Sequence, residues 1–341
     1  MRLGIGFNAD VSVRELLNYA VESEELGYES FWIHEHSFGR DAVSVLASSA
    51  LFTSRINLGV ACLTPYTRHP MVLAQTLSTL QETSQGRMKL ALGSGFPMRL
   101  DLLGIRHEKP IGAIKDTIEI CRRIWEGGTL TYNGSNFNLK NVRSLTGGAV
   151  SKIPIYVAGW KKQMLNLTGK LGDGYIAKGG ESVASISKIV SDIASAAERH
   201  GRNIGDIDVG AYLLTYVGDS KKEALERARS DPFVNYMLAV QDDYLYEGTG
   251  IDPEKKKPIA QNYFAGKIEE SSSFVSDEML EAFTLVGTEQ DVYSRVLELC
   301  KRGLNLPILQ PISMKPADVR RVLRAGSAMI NEESRLLERA N

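Results

Sequence analysis

Two spacings of apolar residues alternate along the chain. Short continuous apolar runs, such as residues 56–63 and 88–92, are typical of strands that are buried on both faces of a parallel sheet. Between them lie longer stretches with apolar residues three or four positions apart, as in residues 11–26, and this spacing predicts amphipathic helices. Gly27 and Pro110 stand where such helices are expected to end or begin.

The alternation predicts an α/β fold. Strands are expected at residues 2–7, 30–33, 56–63, 88–92, 153–158, 174–177, 207–217 and 306–312. Helices are expected at residues 11–26, 42–53, 71–81, 110–125, 161–170, 183–200, 219–229, 279–283, 290–301 and 317–338. Eight strands that alternate with helices favour a closed (β/α)8 TIM barrel, and an open doubly wound sheet is the structural alternative.

A barrel of this kind needs about 250 residues, so the 341 residues of this chain leave a surplus. We expect one domain, residues 1–341, with two excursions from the regular alternation. Residues 127–150 contain several glycine turns and predict a hairpin and loop. Residues 232–276 are rich in Tyr, Lys and Pro, and we expect an insertion of short helices after strand seven that covers one end of the fold.

Composition and charge exclude several classes of function. Hydrophobic residues make up 43% of the chain, charged residues 24%, and the formal net charge is -1. These values do not indicate a nucleic-acid binder or a polybasic membrane tether, and no apolar run reaches the roughly twenty residues of a membrane span. The first residues enter a strand without a signal-peptide pattern, and the cysteines are few, so we expect a cytoplasmic protein.

The segment His34-Glu35-His36 follows the second predicted strand. Two histidines on one strand face could bind a metal, but such sites usually need three or four converging ligands, and the other histidines are scattered. We therefore expect no metal. At the carboxyl end of a barrel strand, this segment favours a polar site that orients a cofactor or moves a proton. A helix cap or a surface ion pair is the alternative.

Two other strand ends carry candidate binding residues. Residues 93–95 read GSG after strand four, and glycines permit close backbone approach to a ligand, although a simple turn has the same composition. Residues 158–162 read AGWKK, a small-residue turn followed by lysines at a helix start. Free backbone N–H groups at such a position suit a phosphate, and solvated lysines are the alternative.

Several longer motifs identify a family. The chain resembles the luciferase-like monooxygenase superfamily, and within it the branch that uses the deazaflavin coenzyme F420. The resemblance rests on WIHEHSFGRD, TPYTRHPMVLAQTLSTLQETSQGRMKLALGSG, GIRHEKP, IPIYVAGWKKQMLNLTGKLGDGYI and DEMLEAFTLVGTEQDVYSRVLELCKRG. The last three are most similar to methylenetetrahydromethanopterin reductases. The resemblance implies a (β/α)8 barrel with an insertion after strand seven, a cytoplasmic enzyme, and a homodimer or higher homo-oligomer packed through the early helices.

The resemblance also implies a site at the carboxyl ends of the strands. Glu35 and His36 match the acidic residue and histidine beside the cofactor ring, and we take them as the candidate catalytic residues. A non-prolyl cis peptide behind the ring would lie between Ala61 and Cys62. The candidate cofactor-binding residues are Glu35, His36, Ala61, Cys62, Leu63, Thr64, Gly93, Ser94, Gly95, Ala158, Gly159, Trp160, Lys161 and Lys178.

Two departures bear on the substrate. The methanopterin reductases carry a glutamate where this chain has Gly6, and an aspartate where it has Phe96. The resemblance therefore implies an oxidoreductase that transfers hydride between coenzyme F420 and a small organic substrate, with the pterin itself left open. An FMN-dependent monooxygenase of the same fold is the first alternative. A barrel that binds a cofactor or ligand without turnover is the second.

Overall fold

The computed structural model describes residues 1–8, 10–36, 38–144 and 152–340. Its strands are β1 (Gly4–Asn8), β2 (Ser30–His34), β3 (Asn57–Leu63), β4 (Met88–Gly93), β5 (Thr129–Asn133), β6 (Asn138–Arg143), β7 (Ile155–Ala158), β8 (Gly174–Ala177), β9 (Asp208–Val217), β10 (Leu285–Gly287) and β11 (Leu306–Pro311). Short 3-10 turns lie at Ile204–Asp206, Asp243–Tyr246 and Pro253–Lys255.

Helices follow nearly every strand, and many begin at a side chain that caps free backbone N–H groups. Ser12 and Glu15, for example, form a reciprocal capping box at the first helix. The helices are α1 (Val13–Glu25), α2 (Ala42–Phe52), α3 (Pro70–Thr83), α4 (Pro97–Leu102), α5 (Pro110–Glu126), α6 (Lys162–Leu171), α7 (Val183–Arg199), α8 (Lys221–Arg229), α9 (Pro232–Val240), α10 (Lys256–Phe264), α11 (Ile268–Ser273), α12 (Asp277–Phe283), α13 (Glu289–Lys301) and α14 (Pro316–Ala340). None of the helices in the described ranges is long and apolar enough to cross a membrane.

Eight parallel strands close into a barrel. They follow the order β1, β2, β3, β4, β7, β8, β9 and β11, and β11 pairs again with β1. The predicted (β/α)8 barrel is therefore confirmed, and the open doubly wound sheet is wrong. The strands are buried along almost their full length, which explains their continuous apolar sequence.

Two elements of the structure were absent from the sequence prediction. The three-residue strand β10 pairs with the carboxyl end of β9, beside the barrel. The six-residue helix α4 follows β4 and begins at a proline. The antiparallel hairpin of β5 and β6 lies within the excursion predicted at residues 127–150, of which residues 145–150 are outside the described ranges.

Aromatic rings fill the interior of the barrel, and glycines make room for them. A Cβ atom on Gly59 would lie 2.1 Å from the ring of Trp32, and one on Gly6 would lie 2.4 Å from the ring of Tyr212. Trp32 also packs edge-on against Tyr156, with ring centroids 5.5 Å apart. Below the carboxyl end, the interior of the barrel is therefore filled with side chains. The Tyr212 ring also explains why this chain has no side chain at position 6.

The segment after β9 brings α9 and α10 to the carboxyl end of the barrel, where Phe233 and Tyr263 lie near strand-end residues such as Gly93. Helix α9 is apolar around most of its circumference, which is typical of a helix with protein or a cavity on both sides. One face, which includes Val234 and Leu238, packs into a second hydrophobic cluster together with Leu214 and Phe283. The other face carries Phe233, which lines a cavity at the strand ends that is described below.

Arg87 joins three elements at the opposite end of β4. Its guanidinium donates hydrogen bonds to the carbonyl oxygens of Ala50, Thr53, Ile56 and Ser84 at 2.7–3.1 Å, and to Oγ1 of Thr53 at 2.9 Å. Burial lowers the pKa of Arg87. These carbonyl oxygens end α2 and border β3, so one side chain fixes the junction between them.

We expect Arg87→Leu to lower the free energy of unfolding by about 3 kcal/mol, because it leaves several buried carbonyl oxygens without a donor. Urea denaturation followed by circular dichroism measures this loss. The matched control is Arg106→Leu, at a side chain that is 89% exposed, where we expect a change within about 0.5 kcal/mol. Equal stabilities of the two variants would contradict the structural role of Arg87.

Candidate active site

A cavity of about 490 Å³ opens at the carboxyl end of the barrel. Part of its wall comes from the ends of the strands and the loops after them. The rest comes from α4 and from the helices of the insertion. The lining residues are Asn8, Asp10, His34, His36, Gly93, Ser94, Gly95, Phe96, Arg99, Ala158, Gly159, Trp160, Lys178, Pro232, Phe233, Tyr236, Met237, Val240 and Tyr263.

The strand side of this cavity contains small residues on neighbouring strands. Gly93 and Ala158 are register partners on β4 and β7. A Cβ atom on Gly93 would lie 3.1 Å from Cβ of Cys62 and 3.9 Å from Cβ of Ala158, so Gly93 packs closely against Cys62 and leaves no room for a side chain. The peptide bond between Ala61 and Cys62 is cis, as the resemblance implies. Gly93, Ala158 and Gly159 line the cavity and form a floor without bulky side chains, and Cys62 packs against Gly93 behind it.

Strand alternation places His34 and His36 on the cavity and the residue between them elsewhere. The ring of His34 lies edge-on to Tyr212, with centroids 5.7 Å apart, and its Nδ1 is buried with no hydrogen-bond partner in the described part of the chain. Nδ1 of His36 accepts a hydrogen bond from the backbone N–H of Phe38 at 3.3 Å. That acceptor role assigns the proton of the neutral His36 ring to Nε2.

Glu35 points towards the start of α2. Its Oε2 accepts a hydrogen bond from the backbone N–H of Ala42 at 3.1 Å, and its Oε1 lies 3.6 Å from a guanidinium nitrogen of Arg68. Arg68 also pairs with Asp41, which caps α2. The structure thus places Glu35 in a capping and ion-pair network, which corresponds to the alternative considered for this segment.

Among the described lining residues, the two cationic side chains of Arg99 and Lys178 outnumber the one carboxylate, Asp10, and give the cavity a net positive charge. The pKa of His34 falls to about 3 because its ring is withdrawn from water and because both cations lie near it. Burial, and then the charge of Arg99, also lowers the pKa of His36. Both imidazoles are therefore neutral at neutral pH, and the cavity favours anionic ligands.

A family model described as luciferase-like monooxygenase matches residues 1–306. The chain belongs to this family. It is 30% identical to the 5,10-methylenetetrahydromethanopterin reductase of Methanolobus tindarius, over 89% of this chain and 92% of that protein. An F420-dependent glucose-6-phosphate dehydrogenase of Kineococcus radiotolerans is 28% identical over 63% of this chain and 67% of that protein.

A solved structure has the same fold as this luciferase-like protein. The coenzyme F420-dependent tetrahydromethanopterin reductase of Methanopyrus kandleri superimposes with a TM-score of 0.87 and 25% identity. The match covers 96% of this chain and 97% of that chain. The family assignment and the barrel therefore rest on independent comparisons of sequence and structure.

Most of the site residues predicted from the sequence line the cavity of this luciferase-like barrel. Those on its wall are His36, Gly93, Ser94, Gly95, Ala158, Gly159, Trp160 and Lys178. Those that are not among its described lining residues are Glu35, Ala61, Cys62, Leu63, Thr64 and Lys161. Lys161 instead borders a second cavity of about 430 Å³ on the other side of Trp160, together with Lys162 and Lys188. The roles of all these residues stay predictions.

Other cavity residues were missed by the sequence reasoning. Arg99 lies on α4, which is too short to give a periodic signal. Phe233, Tyr236, Met237 and Val240 occupy positions i, i+3, i+4 and i+7 of α9, and this spacing defines one helix face. That spacing was visible in the sequence, but nothing local indicated that the face would contact a cavity. The described residues contain no group of three or more potential metal ligands.

A buried carboxyl group holds Trp160 in the cavity wall. Glu181 is 3% exposed, and its Oε1 accepts a hydrogen bond from Nε1 of Trp160 at 3.4 Å. Its Oε2 accepts a hydrogen bond from the backbone N–H of Gly179 at 3.0 Å. Burial raises the pKa of Glu181 to about 7. Glu181 therefore binds a proton in the folded protein over a pH range in which the unfolded chain has released it.

This raised pKa predicts a pH dependence of stability. Between pH 4.5 and 7 the folded state holds one more proton at Glu181 than the unfolded state, so this contribution to stability falls as the pH rises. We expect Glu181→Gln to remove that fall, which amounts to about 3 kcal/mol. Urea denaturation of both proteins across this range measures it. Parallel pH profiles for the two proteins would contradict the assignment, and Glu269→Gln, at an exposed position, is the control.

Proposed function

We propose that this protein is a coenzyme F420-dependent oxidoreductase that transfers hydride between the deazaflavin and a small organic substrate. The observation that carries the proposal is the small-residue floor at Gly93, Ala158 and Gly159, which lies at the strand ends of a luciferase-like barrel. The F420-dependent proteins among its relatives and solved neighbours support the choice of cofactor.

The residues present fit a deazaflavin. The floor leaves room for a flat tricyclic ring, because Gly93, Ala158 and Gly159 line the cavity there without a bulky side chain. Lys178 and His34 also line the cavity and offer polar groups that could contact ring carbonyl and N–H groups. Gly159, with φ of 144°, brings its backbone close to the cavity without a side chain.

When bound, the deazaflavin supplies a hydride to, or takes one from, a carbon atom of the substrate. The protein contributes orientation and electrostatics. His36 presents Nε2–H to the cavity, where it can donate a hydrogen bond to an oxygen or nitrogen that gains negative charge as hydride arrives. Gly6 and Phe96 replace the carboxylates that the resemblance implies, so the proposal does not name the pterin as substrate.

Deazaflavin fluorescence tests this function directly. The purified protein is incubated with oxidised F420 and a panel of alcohols and reduced pterins, and with reduced F420 and a panel of imines and unsaturated carbonyl compounds. Protein-dependent oxidation or reduction of F420 with at least one panel member is the expected result. Tight binding without any redox change across both panels would favour the non-catalytic barrel and contradict the proposal.

Two finer features also belong to the proposal. All three cysteines are free thiols, which suits a cytoplasmic enzyme.

A second copy of the chain is proposed to cover Leu51 and Phe52 at the end of α2, which are 73% and 65% exposed. We expect Phe52→Glu to convert a dimer to a monomer in sedimentation equilibrium. A wild-type protein that sediments as a monomer would contradict this feature, and Phe274→Glu is the matched exposed control.

A further inference from the structure

Arg99 is a cation of the cavity wall that has no role in the proposed binding of the cofactor. It projects from α4 into the cavity, where its Nη2 donates a hydrogen bond to the hydroxyl of Tyr236 at 3.2 Å. Its guanidinium lies 5.8 Å from the ring centroid of Phe96. No carboxylate of the described chain forms an ion pair with it. Two neutral contacts position the planar group and leave its charge available.

The wall around Arg99 is apolar. Phe96 precedes α4, while Phe233, Met237 and Val240 come from one face of α9, and Tyr263 comes from α10. These side chains offer aromatic and aliphatic surface and no carboxylate. A ligand that contacts Arg99 therefore meets a planar cation set in an apolar wall, and this combination binds a carboxylate attached to a flat apolar body.

We propose that the substrate carries a carboxylate, bound by the guanidinium of Arg99, on a flat apolar body that packs against the α9 face. This inference rests on the proposed function and narrows its substrate class. The planar fork of an arginine matches the two oxygens of a carboxylate. Arg99 lines the same cavity as His34 and His36, and the pKa of each imidazole is lowered first by burial and further by nearby positive charge that includes Arg99.

The same carboxylate chemistry has a second possible source, the anionic side chain of the cofactor itself. The placement of the residues favours a separate substrate. The cofactor floor lies at Gly93 and Ala158, on the strands, and Lys178 follows the neighbouring strand β8. Arg99 belongs to the part of the wall formed by α4 and α9. The experiment below separates the two sources.

The test compares two matched probes, 2-naphthoate and the neutral 2-naphthamide, by calorimetry on the full-length protein. The binding of F420 is measured first, and each probe is then titrated into F420-saturated and cofactor-free protein. We expect 2-naphthoate to bind at least tenfold more tightly than 2-naphthamide, and at least tenfold more tightly than acetate, because both the carboxylate and the ring are recognised.

Substitutions of Arg99 test whether this residue causes the preference for the carboxylate probe. We expect Arg99→Met to abolish the difference between the two naphthyl probes, and Arg99→Lys, which keeps the charge without the planar fork, to retain only part of it. Arg106→Met, on an exposed side chain nearby in sequence, should leave the difference unchanged. The thermal unfolding temperature of each variant establishes that it is folded.

The outcomes separate this inference from the proposed function. Equal affinities for the two naphthyl probes in wild-type protein, or a preference that survives Arg99→Met, would overturn the role of Arg99 even if F420 binds. Competition between 2-naphthoate and F420 would assign Arg99 to the cofactor side chain and would also overturn it. Absence of F420 binding would refute the proposed function, while a carboxylate preference in cofactor-free protein would still support the anion site.

Discussion

Replacing His36 with alanine is expected to lower turnover by about 100-fold or more, since a positioned imidazole that acts on the reacting group contributes roughly that factor. His36 faces the cavity with Nε2–H free, because Nδ1 is held by the backbone N–H of Phe38. The loss should appear mainly in kcat, because the hydrogen bond strengthens as negative charge develops on the substrate. The steady-state rate of F420 oxidation or reduction measures it.

The matched control for this prediction is His200→Ala. His200 lies at the exposed end of α7, away from the cavity, so its loss should leave turnover unchanged. The free energy of unfolding of the His36→Ala variant should also stay within about 1 kcal/mol of wild type, since His36 is only partly buried. Full turnover in the His36→Ala variant would remove His36 from the reaction.

Filling the cavity floor is expected to abolish cofactor binding. In Ala158→Leu the three added carbon atoms would extend from the cavity wall beside Gly93, where the flat ring is proposed to lie. Overlap of this kind costs about 2–3 kcal/mol, which weakens affinity by roughly 100-fold. Fluorescence titration with F420 measures the change in the dissociation constant.

The control for the floor variant is the same substitution at an exposed helix position. Ala328→Leu, on α14, should bind F420 as wild type does. Because Ala158 is only 4% exposed, the thermal unfolding temperature of the Ala158→Leu variant is measured first, to establish that the variant is folded. A folded Ala158→Leu variant with unchanged F420 affinity would show that the ring binds elsewhere.

The barrel could be predicted from the sequence because parallel strands buried on both faces have continuous apolar runs, as in residues 57–63 and 88–93. The short elements could not. Helix α4 spans six residues and β10 spans three, and neither is long enough for a periodic pattern. The single-domain assignment of residues 1–341 stays a prediction.

The strand-side part of the site could also be predicted, because the carboxyl ends of parallel strands meet at one end of a barrel. The part formed by α4 and α9 depends on how distant segments pack. Tyr236, for example, contacts Arg99 across 137 positions of sequence, and no local pattern encodes that contact. The sequence also did not indicate which of Glu35 and His34 faces the cavity, because this depends on the orientation of the side chains. Strand alternation places His34, with His36, on the cavity, whereas Glu35 caps α2.

Parallel titrations of the purified protein with F420 and with FMN test the central claim most directly. Absorbance and fluorescence report the binding of each cofactor. The account predicts tight, saturable binding of F420 and at least tenfold weaker binding of FMN, because the proposed function is hydride transfer by a deazaflavin. Tight binding of FMN in preference to F420 would contradict it and indicate an oxygen-dependent monooxygenase. Binding of neither cofactor would contradict the cofactor assignment as a whole.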